Sequence, residues 1–136
     1  MATLLWLSMM VACSSQPTSE RPAPEAGLAA IPAADPTRYE HVRDMKQWRN
    51  PYLIVRSDGV ALYDSADSAE IILQPDELLA ALARLPKSNW PYGRVVAATE
   101  GSGASEPDRI AIRRNRGIVG GILTGAQVAI RWVPGA

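Results

Sequence analysis

The chain has 136 residues, with 14 basic and 14 acidic side chains and a formal net charge of zero. Its hydrophobic content of 47% is typical of a folded protein, and this length accommodates a single domain. The balanced charge argues against nucleic acid as a partner, because a domain that binds nucleic acid carries a large basic excess.

Residues 2–12 predict an export signal. They form an apolar run with only Thr3 and Ser8 as polar side chains. This run is too short for a membrane-spanning helix, which needs about 20 residues. An apolar run of this length, closed by small residues, is typical of a signal peptide. The chain is therefore expected to be exported.

The end of this run, Met10-Val11-Ala12-Cys13, resembles the lipoprotein signal of bacteria. In that family a small residue precedes a cysteine, which is lipidated and becomes the mature N-terminus. The resemblance implies that Cys13, the only cysteine, is the lipid-attachment residue. It also implies a cell-envelope location, with the domain on the periplasmic or extracytoplasmic side. Alternatively, Cys13 is a small apolar residue in an ordinary leader or a disordered end.

Residues 14–36 predict a disordered tether. The segment is rich in Ser, Pro, Ala, Gln and Glu, and its prolines block regular structure. Prolines also favour an extended chain, which would hold a domain away from the bilayer. The sequence thus divides into a signal at 1–13, a tether at 14–36 and one globular domain at 37–134.

The domain is predicted to begin with a helix. Thr37 and Glu40 have the spacing of a capping box, and Asn50 with Pro51 ends the helical pattern. The buried face is predicted from apolar residues that recur every three positions, namely Tyr39, Val42, Met45 and Trp48.

A β-hairpin is predicted next. Its strands, at 52–56 and 60–63, are separated by Ser-Asp-Gly, and Asp-Gly is a strong signal for a tight turn. Residues 69–73 are predicted as a short edge strand or as an extension of the hairpin. Pro75 then suits the first position of a helix that ends before Pro86. Its predicted buried face consists of Leu78, Leu79, Leu82 and Leu85.

Residues 94–99 are predicted as an apolar strand in the centre of the sheet. A helix from 105 to about 124 follows, capped near Ser105. The residues predicted to face the core are Ile110, Ile118 and Ile122. Its glycines favour an alternative in which 110–112 alternates as a strand. The last strand is predicted from the alternation of Val128, Ile130 and Trp132.

This order predicts an α/β fold, a small two-layer sandwich in which a hairpin and a β-α-β-α-β unit place helices on a mixed sheet. From Tyr52 to Trp132 it resembles the periplasmic domain of ExbD and TolR, which accompany proton-driven motors in bacterial envelopes. The local similarity is the Asp-Gly hairpin followed by Pro75-Asp76-Glu77-Leu78-Leu79. The resemblance implies the fold alone. That family's essential membrane aspartate has no match in the leader, so motor activity is not implied.

Candidate binding residues lie in and before the third predicted helix. Arg109, Arg113 and Arg116 fall on one helical face and could meet an anion together with the glycine-rich loop at 100–105. The alternative is a solvated helix face beside a flexible connection. Trp90 and Tyr92 could present aromatic rings to a partner, or could pack over an edge of the core.

The sequence predicts no catalytic residue, no cofactor and no metal site. His41, for example, has no second histidine or cysteine nearby with which to hold zinc. The predicted function is therefore a lipid-anchored envelope protein whose domain binds another envelope protein or the cell wall without catalysis. The alternative is a small-anion-binding domain or a degenerate enzyme that uses the 100–105 loop and the arginine face.

Overall fold

A five-stranded mixed sheet organises the computed structural model, which describes residues 24–64 and 69–134. The strands are β1 (Tyr52–Arg56), β2 (Gly59–Asp64), β3 (Ala69–Leu73), β4 (Val95–Glu100) and β5 (Ala129–Trp132). The α-helices of this part of the chain are α1 (Pro24–Ala29), α2 (Pro36–Tyr39), α3 (Leu78–Ala83) and α4 (Glu106–Gly125). The predicted α/β fold is confirmed.

The strand order is β3-β2-β1-β4-β5. β2 pairs antiparallel with β1 and β3, whereas β4 pairs parallel with β1 and β5. The predicted hairpin, the β3 edge strand and the internal position of β4 are therefore confirmed. Gly59 follows the turn at a φ of +153°, and a Cβ there would lie 2.3 Å from the Leu73 carbonyl oxygen. The hairpin therefore requires glycine at this position.

The two helices that follow β3 also form as predicted. A 3-10 turn at Pro75–Glu77 leads into α3, whose Leu78 and Leu82 are buried. α4 begins after Ser105, whose side-chain oxygen accepts a hydrogen bond from the Asp108 backbone N–H. Within the described residues, no helix is both long enough and apolar enough to cross a membrane.

The predicted buried face of α4 is wrong at Ile110 and Ile118, whereas Ile122 is partly buried. Ile110 and Ile118 are about half exposed, at 53% and 44%. The residues that face the sheet are Ile112, Asn115, Val119 and Leu123. Ile112 follows Ile110 by two positions, which is about 200° around a helix, so the two side chains point in nearly opposite directions. The helix face that carries Leu123 packs against the sheet, so Ile110 is exposed to solvent.

The predicted tether ends earlier than expected, because residues 24–36 belong to the fold. Helix α1 packs against α3, and Leu28 and Ile31 are buried in the main core. Pro24 begins this helix. Proline is tolerated at this position because the first N–H groups of a helix have no intrahelical hydrogen-bond partner, so the absence of an N–H costs no bond. The predicted signal, Cys13 and the rest of the predicted tether lie outside the described residues.

The predicted first helix is also wrong, since it is replaced by α2 and a separate 3-10 turn at Met45–Gln47. Asp35 caps α2 and Asp44 caps the turn, each accepting a hydrogen bond from a backbone N–H two residues later. Two caps nine residues apart interrupt what would be one helix, because each starts a new helical turn. The Thr37 hydroxyl bonds Asp35 at 2.6 Å and not a backbone donor of its own helix.

Both sides of the sheet bury side chains, but different elements cover them. The helix face is covered by α1, α3 and α4, and Val96 and Ala98 point into it. Val95 and Ala97 point to the opposite side, into a cluster formed with the segment at 34–50. The predicted stripe of Tyr39, Val42, Met45 and Trp48 packs there despite the lost helix. This segment lies over β4 and the start of β1.

Candidate functional site

The part of the second sheet side that the 34–50 segment does not cover is here called the open face. By the strand register it carries Ile54 and Arg56 of β1, Ala61 and Tyr63 of β2, and Glu70 and Ile72 of β3. Tyr52 of β1 lies at its border, since it also packs against the cluster formed with the 34–50 segment. Residues directly opposite each other on paired strands point to the same side of a sheet. The open face therefore extends from the hairpin to the β3 edge.

An ion pair crosses the open face. The Arg56 guanidinium lies 2.6 Å from one Glu70 carboxylate oxygen, and the Tyr63 hydroxyl donates to the other at 2.7 Å. The hydrogen bond to this carboxylate raises the pKa of Tyr63, because ionised Tyr63 would lose it and face a like charge. Ala61 lies beneath the path from Arg56 to Glu70 and is fully buried. The cluster thereby joins three strands.

A cleft lies where the carboxyl ends of β1 and β4 meet, and we call it the β1–β4 cleft. It encloses about 600 Å³. Its floor is formed by Tyr52, Ile54 and Thr99, and its walls by Arg56, Ser57, Asp58, Glu100, Gly101 and Ser102. Ligands commonly bind outside the carboxyl ends of parallel strands, since side chains from neighbouring loops converge there.

Glycine holds the wall of the β1–β4 cleft in place. The Gly101 backbone N–H donates to the Val55 carbonyl at 2.7 Å, so the loop after β4 is fixed against β1. A Cβ at Gly101 would lie 3.2 Å from the same carbonyl oxygen and 3.3 Å from the Arg56 side chain. This contact is tighter than ordinary packing allows, so a larger residue would push the loop away and widen the cleft.

Most charges around the cleft have partners. Arg56 is held by Glu70, and Glu100 pairs with Arg116 at 2.8 Å. The Asp58 carboxylate at the turn makes no ion pair with any described residue. The lining thus offers one carboxylate, Asp58, that is not engaged by a cation.

Two hydroxyls lie at the floor of the cleft. The Thr99 hydroxyl is buried and makes no hydrogen bond of ordinary geometry within residues 24–64 and 69–134. Burial raises the pKa of the Tyr52 hydroxyl, and the neighbouring Thr99 hydroxyl offsets part of that rise. The two groups are therefore close but not well aligned, so Thr99 retains hydrogen-bonding capacity.

The predicted arginine face is partly neutralised. Arg109 pairs with Glu106 at 2.7 Å, and Arg116 pairs with Glu100 while its guanidinium stacks 4.1 Å from the Trp132 ring centroid. Arg113 has no ion-pair partner in the described part of the chain. The structure brings the predicted loop and arginines together, but two of the three cations already have carboxylate partners.

Arg113 lies in a shallow groove on α4. The groove is lined by Glu100, Arg113, Arg116, Gly117, Gly120, Gly121 and Trp132. The loop also touches this helix, since a Cβ at Gly103 would lie 2.8 Å from the Arg109 side chain. The predicted 100–105 loop and arginine face are therefore neighbours, and only Arg113 brings an unpaired positive charge.

The other predicted aromatic site is not at the surface. Trp90 is 3% exposed in the main core, and Tyr92 is 9% exposed. Tyr92 packs beside Tyr39 and Trp48, with ring centroids 5.9 and 5.0 Å away. The prediction that these rings meet a partner is therefore corrected, and the packing alternative describes them. His41 is exposed.

Sequence reasoning predicted the β3 edge but gave it no function. In the structure Ile71 and Ile72 are about half exposed, at 49% and 48%. They are adjacent in a strand, so they point to opposite sides of the sheet. Among the strands of residues 24–64 and 69–134, β3 pairs with β2 alone. The sequence signal was the absence of apolar-polar alternation in Ile71-Ile72-Leu73 at a predicted edge.

In the described ranges, no three His, Cys, Asp or Glu side chains lie close enough to hold a metal ion. Comparison of the chain with protein-family models, with curated proteins and with solved structures finds no match. The features of the described residues that bear on function are therefore the open face, the β1–β4 cleft and the β3 edge.

Proposed function

We propose that this protein is a non-enzymatic cell-envelope lipoprotein whose domain binds an extended segment of another envelope protein along β3. The observation that supports this proposal most directly is the exposed β3 edge with Ile71 and Ile72. The cell wall is the other partner class that the envelope location suggests. The β3 edge favours a protein, because only a polypeptide can pair with backbone groups along a strand.

An edge strand presents alternate N–H and C=O groups that have no partner in the sheet. A bound extended segment would pair with these groups, and its side chains would contact one isoleucine on each side. Folded proteins commonly protect such edges with lysine, proline or a bulge. None of these devices occurs between Ala69 and Leu73, and the Glu70 charge is engaged by Arg56 and Tyr63.

The anchor part of the proposal rests on Met10-Val11-Ala12-Cys13. One acyl chain holds a protein to a bilayer only weakly, whereas several chains hold it firmly. The intact mass of the protein from a membrane fraction tests this. An N-terminus at Cys13 that carries several acyl chains, and their loss in Cys13→Ser, is the expected result. An unlipidated wild-type chain would overturn the anchor but leave the β3 proposal standing.

Photo-crosslinking tests the β3 edge in cells that produce the full chain. A photoreactive amino acid replaces Ile72 in one variant and Ile118 in the control, since the two positions are similarly exposed, at 48% and 44%. We expect a discrete adduct from position 72, mapped by mass spectrometry to one peptide of an envelope protein. Ile71→Lys in the same chain should abolish it, because it places a charge on the edge.

A synthetic copy of the crosslinked peptide completes the test. It should bind the purified protein and slow amide hydrogen exchange in β3, because its backbone would take up the free edge. Ile118→Lys is the matched control and should leave binding unchanged. The proposal is wrong if position 72 gives no adduct, if position 118 gives the same one, or if the peptide protects a different element.

A second candidate function is small-anion binding in the α4 groove, and the unpaired Arg113 beside Arg116 and Trp132 favours it. Inorganic phosphate should then raise the melting temperature of the wild type. Arg113→Ala should remove this effect without changing the melting temperature of the free protein, since Arg113 is exposed. The absence of any phosphate effect on the wild type would exclude this candidate.

A further inference from the structure

The β1–β4 cleft has the size and position of a ligand site and lies away from the β3 edge. Its volume of about 600 Å³ falls within the range of small-molecule pockets, about 300 to 1,000 Å³. Two loops fixed to the sheet form its walls. The turn at Ser57 is tied to α4, because the Asn115 side chain donates to the Arg56 carbonyl at 2.8 Å. Hydrogen bonds to the backbone therefore fix both walls of the cleft.

The charges around the cleft favour a neutral ligand. An anion would meet Asp58 and Glu100, and the nearest cation, Arg56, is already held by Glu70. A cation would meet Arg56 on the wall and could use only Asp58 without competing with an existing ion pair. A neutral ligand avoids both conflicts, because it needs no counter-charge from the lining.

The polar groups suit a ligand that both donates and accepts hydrogen bonds. Serine and threonine hydroxyls do both, whereas an ionised carboxylate only accepts. The Ser57 and Ser102 side chains and the Asp58 carboxylate line the cleft, and the Thr99 hydroxyl is buried at its floor. The Thr99 hydroxyl has hydrogen-bonding capacity that no described group uses. Alcohol groups on a ligand match this mixture better than carbonyl groups, which accept but do not donate.

The floor of the cleft adds an apolar surface. Tyr52 and Ile54 lie side by side on β1, and the Tyr52 ring packs 6.3 Å from the Tyr63 ring, which restricts its movement. A tyrosine presents an apolar ring and a polar tip to the same ligand. Sugars have this character, with hydroxyl groups around the ring and C–H groups on its faces. We infer that the β1–β4 cleft binds a neutral saccharide.

This inference does not depend on the proposed function, because the cleft lies between β1 and β4, whereas a partner segment would pair along β3, on the far side of β2. A partner segment paired with β3 would not fill the cleft. Substitutions at Ile71 test one proposal, and substitutions at Thr99 test the other, so the two can fail separately.

NMR titration of the full chain provides the test. The isotope-labelled protein is kept in zwitterionic detergent micelles, because maltoside detergents would add a sugar. The probes are N,N′-diacetylchitobiose, cellobiose and maltose, with inorganic phosphate and putrescine as charged controls. At least one disaccharide should give saturable shifts at the amides of 54–58 and 99–102, with a dissociation constant in the millimolar range expected of a small, half-open site.

Two variants locate the ligand. Thr99→Val removes only the unpaired hydroxyl, and Tyr52→Leu removes the ring. Each should weaken binding about tenfold, as expected for one lost hydrogen bond or ring contact. Thr124→Val makes the same chemical change on exposed α4 and should leave binding unchanged. Thr99→Val keeps the test valid if Tyr52→Leu perturbs the fold.

Three results would overturn the inference. One is the absence of shifts at these amides with every disaccharide. Another is disaccharide binding that Thr99→Val and Thr124→Val affect equally. The third is tighter binding of phosphate or putrescine than of any disaccharide at the same amides, which would assign the cleft to a charged ligand.

Discussion

The two sides of the sheet are buried by different interactions. On the helix face, Leu53 and Leu62 pack against aliphatic side chains of α1, α3 and α4. On the other side, the 34–50 segment has little regular structure and is fixed by specific polar bonds and by aromatic rings. The helix face should therefore lose stability through cavities. The opposite side should lose stability through polar groups left unpaired, and some of these losses should be confined to the 34–50 segment.

The largest effect is expected on the helix face. Leu62 on β2 is almost completely buried, so Leu62→Ala should lower the free energy of unfolding by about 3 kcal/mol through lost burial and a cavity. Urea unfolding measures this. Ile72→Ala is the control, because Ile72 directly follows Ile71, the Leu62 partner, on β3 but is 48% exposed, so its loss should cost under about 1 kcal/mol. Equal costs would contradict the burial argument.

Asn50 is the polar counterpart on the other side. This fully buried side chain donates to the Gly93 and Val95 carbonyls at 2.8 Å each and accepts from the Tyr92 N–H at 2.9 Å. Asn50→Ala would leave three backbone groups without this partner, so we expect a loss of about 2 to 3 kcal/mol in urea unfolding. Asn50 thereby ties the chain before β1 to the chain before β4.

Asn115 is the matched control for Asn50. It is also buried, but its one short hydrogen bond goes to the Arg56 carbonyl, and its second contact is 3.4 Å long. Asn115→Ala should cost about 1 kcal/mol, the usual contribution of one hydrogen bond. If Asn50→Ala costs no more than Asn115→Ala, the polar bonds do not fix the 34–50 segment as we describe.

A smaller and local effect is expected at Arg131 of β5. Its guanidinium donates to the carbonyls of Tyr39 and Val42, and it lies 5.8 Å from the Trp48 ring centroid. Arg131→Lys keeps the charge but loses the planar pair of donors. Amide exchange at 38–48 should accelerate about tenfold, whereas amides of α4 should not change. Acceleration throughout the domain would mean that Arg131 stabilises the whole fold.

The same contrast explains how much of the fold the sequence predicted. Between Tyr52 and Trp132 the turn signals and apolar patterns predicted strands and helices that do form, although the buried face of α4 was predicted at the wrong residues. Before Tyr52 the apolar stripe at Tyr39 and Val42 was identified correctly, but its helix was not. The burial of this stripe depends on Asn50, which bonds the carbonyls of residues 93 and 95, and on Arg131, which bonds the carbonyls of residues 39 and 42. Both sets of partners are far apart in sequence. Local patterns cannot reveal such pairs.

The candidate sites follow the same rule. Arg109, Arg113 and Arg116 were placed correctly on one helix, but their partners Glu106 and Glu100 decide which of them is unpaired. Glu100 comes from the previous strand, so only the fold brings it to Arg116. The β1–β4 cleft was not predicted, because it combines residues near 52–58 with residues near 99–102 that meet only through parallel pairing.

A minor effect is expected at Asp35, which caps α2 in place of the predicted capping box. The Thr37 hydroxyl donates to this carboxylate and holds its pKa below the ordinary value, with smaller contributions from the Thr37 N–H and Arg38. Thr37→Val should raise the pKa, as a carboxyl-detected NMR titration can measure. Because the folded pKa is lowered, any contribution to stability is present above the unfolded pKa and is lost as the pH falls through the folded value.

The pKa of Asp35 also separates the two capping arrangements. If Thr37 capped a helix through Glu40, as the sequence suggested, Thr37→Val would leave the Asp35 titration unchanged. Glu40→Gln is the control, and it should not move the Asp35 pKa in the observed arrangement.

The smallest effect on stability is expected at Thr99, where the covered side gives way to the open face. Its buried hydroxyl makes no hydrogen bond of ordinary geometry with the described residues, so Thr99→Val removes an uncompensated polar group. Unfolding free energy should stay the same or rise by up to about 1 kcal/mol. The pKa of Tyr52 should rise further, because the neighbouring Thr99 hydroxyl now lowers it. Ultraviolet titration of the tyrosines measures that shift. A loss of stability with no change at Tyr52 would mean that Thr99 is bonded elsewhere, and the cleft would then lack its free hydroxyl.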